Sequence, residues 1–125
     1  MAIIRNIEID GKAVPFKASA AIPRIYRLRF GRDIFADIGK LSEGVTQNNP
    51  AESRLSGELL GVFEDVAYTM AKYADPAIPE TVEEWLDGFD VFSIYLILPQ
   101  IIALWNLNNQ TTVESKKKQE APTAP

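Results

Sequence analysis

Seventeen residues, Val91 to Leu107, form the most apolar stretch of the chain and limit what it can fold into. Such a run sits at the lower edge of what spans a bilayer. It is interrupted by Ser93, Pro99 and Gln100 and flanked by polar residues, so a buried or partner-facing helix is the expected state. That helix is expected over about 90–107, with Asp90 as N-cap. A kink is expected near Tyr95 to Pro99, where Pro99 removes a backbone bond. Val91, Phe92, Ile94, Tyr95, Leu96, Ile97, Leu98, Ile101, Ile102, Leu104, Trp105 and Leu107 point in every direction around its axis. A helix that is apolar all round is either enclosed by its own domain or shares a face with other chains. A chain of 125 residues has few elements with which to enclose one. The expectation is therefore one face inside and part of the other against partner chains, with Tyr95, Leu98, Ile102 and Trp105 as partner-binding residues. A fully covered core helix is the alternative.

The length suits one domain. A hydrophobic fraction of 46% is enough for a core. The globular part is expected over 1–108. Beyond Asn108 the residues are Asn, Ser, Thr, Lys, Gln, Glu, Ala and Pro, with Val113 the one strongly apolar side chain, so 109–125 is expected to be disordered. The chain contains neither cysteine nor histidine. Disulfides, thiolate metal sites, thiol nucleophiles and the commonest general base are thereby excluded. Carboxylates occur in pairs, Glu64-Asp65 and Glu83-Glu84, but neighbours on a helix point about 100° apart and do not converge on one ion. No glycine-rich phosphate loop is present. The expectation is a protein that is not an enzyme and needs no cofactor or metal.

Ahead of the apolar stretch the chain is punctuated clearly. Ile3, Ile7 and Ile9 alternate on one side of a strand, Asp10-Gly11 suits a type I′ turn, and Val14 and Phe16 alternate on a returning strand that Pro15 marks as an edge. A hairpin alone is marginal and needs helices to pack on. A first helix is expected over about 20–30, with Pro23 in its first turn, Ser19 satisfying free amides, an Ile22–Tyr26–Phe30 stripe and Gly31 as its stop. A short helix, Ile34 to Leu41, should lead into a loop from Ser42 to Ser53. A long helix follows at about Leu55 to Tyr73, its core stripe being Leu59, Val62, Phe63, Val66, Met70 and Tyr73, with Gly57 and Gly61 allowing close approach of another element. Thr81-Val82-Glu83-Glu84 has the form of a capping box ahead of Trp85 and Leu86. The fold class is α+β: a hairpin packed on a small bundle of about four helices.

Charge falls in blocks. Residues 1–50 carry a net +3, 51–90 a net −8 and 91–125 a net +1, giving −4 overall. The net sign argues against nucleic acid as a partner. The blocks can attract within one fold, attract between copies, or be ordinary solvated faces. Arg24, Arg27, Arg29 and Arg32 crowd together. They can form a patch for phosphate or an acidic partner, or a solvated face with some internal pairing; Arg24 and Arg27 are taken as partner-binding candidates. The N-terminus turns polar by Asn6 and lacks a signal peptide's apolar core, so a cytoplasmic protein is expected, with no membrane partner.

The order of features resembles a known family. A hairpin precedes Ser-Ala-Ala-Ile-Pro-Arg-Ile-Tyr-Arg-Leu-Arg-Phe-Gly-Arg-Asp-Ile at 19–34; Glu84-Trp85-Leu86-Asp87 and Leu104-Trp105-Asn106-Leu107-Asn108 come later, ahead of lysines 116–118. This resembles the tail assembly chaperones of long-tailed bacteriophages and prophages of Gram-positive bacteria. The resemblance implies a homo-oligomerising protein of the host bacterial cytoplasm that coats the hydrophobic tape measure protein, keeps it soluble, and then recruits tail tube protein. It also implies absence from the mature virion, and in many members a longer form made by ribosomal frameshifting. A small head–tail connector or minor tail protein is the alternative.

Overall fold

The computed structural model describes residues 2–47 and 57–106. Strands β1 (Ile3–Ile9) and β2 (Lys12–Ala18) form a two-stranded antiparallel sheet in which Ile7 faces Val14 and Ile9 faces Lys12. Asp10 and Gly11 both take positive φ, 53° and 78°, as a type I′ turn requires. Ile7, Ile9, Phe16 and Ala18 are buried, so one face of the sheet joins the core.

Helix α1 (Ala21–Phe30) buries Ile22 and Tyr26 and ends at Gly31, which adopts the left-handed conformation (φ 71°) and donates its N–H to the Arg27 carbonyl. Its start differs from expectation. The first turn is anchored by the Ser19 carbonyl, which accepts from Ile22 N–H, while the Ser19 hydroxyl is buried without a partner among the described residues. Ala20, not Ser19, holds the cap position, and it is in helical rather than extended conformation, so no side chain there can reach back to the free amides. Helix α2 (Ile34–Gln47) runs on through Gly44, where a loop from Ser42 was expected; the expected loop's remainder, 48–53, lies outside the described residues. Buried Leu41 ties this helix to the core and carries it past the weak helix formers that follow.

Helix α3 (Gly57–Ala74) is the central element. Val62, Phe63 and every residue from Val66 to Ala71 are buried, so the stretch 66–71 is enclosed on all sides. The sheet packs on it through β2, and α1 and α2 pack beside it. Tyr73, expected in the stripe, is exposed, with Lys17 Nζ 4.8 Å from its ring centroid. Gly57 and Gly61 do not serve close packing: a Cβ at either would meet nothing within 4 Å among the described residues.

Helix α4 (Val82–Leu86) is capped by the Thr81 hydroxyl, which accepts from Glu84 N–H at 3.1 Å. Residues 91–94 form turns, Tyr95–Ile97 a single 3₁₀ turn, and 98–106 a last α-helix, α5. Pro99 is therefore in the first turn of α5, where its missing N–H costs nothing, and not at a kink inside a helix begun at Asp90. The architecture is α+β, and among the described residues a hairpin packs on five helices. The tail expected at 109–125 lies outside the described residues.

Candidate partner-binding surface

One surface is built by α4, the turns at 87–94 and the 3₁₀ segment. Trp85 anchors it: the indole makes edge contacts with Phe16, Tyr68 and Phe89 at centroid distances of 6.3, 5.7 and 5.1 Å. From the opposite end of the sequence, Asp10 at the hairpin tip holds the next stretch. Its carboxylate accepts from Asp90 N–H at 2.9 Å and from the Ser93 hydroxyl. Those two bonds keep the Asp10 carboxyl below its ordinary pKa, the Ser93 bond being the larger cause. Tyr95 is fixed from α3, donating to Glu64 Oε2 at 2.6 Å; that bond, with some burial, pushes its hydroxyl up to about 12.

So held, the segment leaves Val91, Phe92 and Leu96 exposed at 75%, 75% and 76%. Beside Phe92 and Leu96 opens a groove of about 410 Å³ lined by the more buried apolar Leu86, Phe89 and Ile94, by exposed Val91, and by the exposed carboxylates Glu83, Asp87 and Asp90. Tyr95 lines its end. No group of three or more acidic side chains able to hold a metal ion is present among the described residues.

The expected partner-binding residues divide. Leu98, Ile102 and Trp105 are buried in the core. Trp105 donates its indole N–H to Met70 Sδ at 3.2 Å and meets Phe35 edge-on at 5.9 Å. With α3 and the hairpin available to cover it, α5 turns these side chains inward, and the segment's exposed apolar side falls in the turns before it. Tyr95 is half-buried at the groove. Arg24 and Arg27 are exposed and form no ion pair among the described residues. Their neighbours are otherwise engaged. Arg29 donates to the Glu80 carbonyl at 2.8 Å and lies over Tyr68, and Arg32 bonds Asp37 at 2.9 Å and Asp65 at 2.7 Å.

Comparison with protein-family models, with curated proteins and with solved structures finds no match. Among the described residues no helix is long and apolar enough to cross a membrane. Leu28, 71% exposed beside the two free arginines, is the functional candidate that sequence reasoning passed over. Helical spacing contained the signal: residue 28 lies on the face opposite the Ile22–Tyr26–Phe30 stripe.

Proposed function

We propose that this chain is a phage or prophage tail assembly chaperone that acts without catalysis, sheathing the hydrophobic tape measure protein in the host cytoplasm and then bringing in tail tube subunits. The observation that carries the reading is the exposed pair Phe92 and Leu96, four residues apart on a segment fixed from two sides by Asp10 and Glu64. Large apolar side chains held in water on a rigid support mark a surface made to be covered. Each is worth about 1.5–3 kcal/mol if an apolar helix buries it fully. The resemblance of residues 19–34, 84–87 and 104–108 to the chaperone family supports the same reading.

The test is co-production with apolar helical segments of a tape measure protein. The parent chain should keep them in the soluble fraction. Phe92→Asp with Leu96→Asp should lose them while keeping the parent's circular dichroism and melting temperature. Segments that precipitate equally with and without the parent refute the reading, as does a double variant that holds them as well as the parent does. Detection of the chain in purified virions favours the head–tail connector or minor tail protein instead.

A further inference from the structure

The acidic groove and the outer face of α1 are complementary, and among the described residues neither has an ion-pair partner. Among the described residues the cations that pair do so elsewhere: Arg32 with Asp37 and Asp65, Lys72 with Glu80. Glu83, Asp87 and Asp90 lining the groove are left without a cation there, and Arg24 and Arg27 without a carboxylate. On α1 these arginines and Leu28 occupy positions i, i+3 and i+4, which places them side by side on one face. Leu28 stands 71% exposed there, next to both guanidinium-bearing positions. The groove offers the matching chemistry, the more buried apolar Leu86, Phe89 and Ile94 beside three exposed carboxylates.

We propose that the groove receives the α1 face of a second copy of this chain, Leu28 entering between the walls while Arg24 and Arg27 lie against Glu83, Asp87 and Asp90. The observations favour a second copy because both halves of the contact are on this chain, opposite in charge and each with an apolar part. The two surfaces differ, so the contact is heterologous: each copy offers one face and accepts the other, and association continues head-to-tail into a ring or a filament. Phe92 and Leu96 do not line the groove, which leaves them open to a client along such an assembly. The arrangement deepens the sheathing role proposed above and rests on it for its purpose, but its test needs this chain alone.

The experiment is sedimentation of the full chain over a range of concentrations at low and high salt. The parent should form concentration-dependent oligomers that weaken as salt rises. Arg24→Glu with Arg27→Glu, and separately Glu83→Arg with Asp87→Arg, should each raise the dissociation constant at least about tenfold, because like charges then face each other. An equal mixture of the two variants should assemble again, since the reversed α1 face of one meets the reversed groove of the other. Leu28→Asp should stay monomeric in every mixture that relies on its α1 face. A parent that is monomeric throughout overturns the proposal, as do charge variants that assemble like the parent, or a mixture that stays monomeric while both variants keep the parent's circular dichroism. A monomeric chain that still keeps tape measure segments soluble refutes this contact and leaves the chaperone reading standing. Assembly by this contact without any hold on those segments does the reverse.

Discussion

Asp10 is both a turn residue and a clasp. Its positive φ is one that aspartate and asparagine tolerate, yet only the carboxylate can accept two strong bonds from residues 80 and 83 positions along the chain. Because the folded-state pKa lies below the unfolded one, the clasp stabilises fully above the ordinary aspartate value of 3.8 and fades as pH falls through the folded pKa. Asp10→Asn, which tolerates the same φ but carries no charge, should thus lower the urea midpoint at neutral pH, and the two chains should converge in strong acid; a constant gap across pH would show that the loss is not electrostatic. Tyr26 presents a different case. Its buried hydroxyl donates to Asp37 at 2.6 Å and accepts from Arg32 Nη2 at 2.8 Å, joining α1 to α2 and, through Arg32, to α3. Burial and the Asp37 bond both push that hydroxyl's pKa upward, so it remains a donor throughout the physiological range. Tyr26→Phe should cost about 1–2 kcal/mol in equilibrium unfolding, since Asp37 keeps its Arg32 bond but loses the phenol.

At the scale of elements, glycines separate two causes that sequence alone merges. Gly31 has φ 71° and open space where a Cβ would stand, so Gly31→Ala should cost about 1–2 kcal/mol from backbone strain alone. Gly39 and Gly61 lie inside helices, also in open space, and alanine at either should stabilise by about 0.5–1 kcal/mol. Thermal melts of the three variants read both signs at once. Elements closed by local chemistry were legible in the sequence: the Asp10-Gly11 turn, the Gly31 stop and the Thr81 cap each depend on residues within a few positions. Those settled by distant partners were not. Pro99 suits either a kink or a first turn, and the choice follows from the preceding segment, whose turns are held by Asp10 across the fold. The length of α2 likewise depends on the packing of Leu41, which outweighs the low propensities after it.

For the molecule as a whole, periodicity identified the apolar residues but not which of them the fold covers. Trp105 and Phe16 are enclosed while Phe92 and Leu96 face water, although all four are large and apolar. Phe16→Ala and Trp105→Ala should each cost about 3–5 kcal/mol in chemical denaturation. Phe92→Ser with Leu96→Ser should stay within about 0.5 kcal/mol per site, the usual range for surface positions. Reversal of that order would move the candidate surface back onto α5. The arrangement also carries a consequence for synthesis. Residues 3–18 leave the ribosome well before their partners: Phe16 waits for Trp85, and the tip at Asp10 waits for Ser93. A hairpin that is marginal alone therefore spends most of translation with Ile7, Ile9 and Phe16 uncovered. Stalled chains carrying C-terminal linkers of increasing length should show these side chains accessible at first, partly covered once α3 has cleared the exit tunnel, and fully closed only when residues in the nineties have followed.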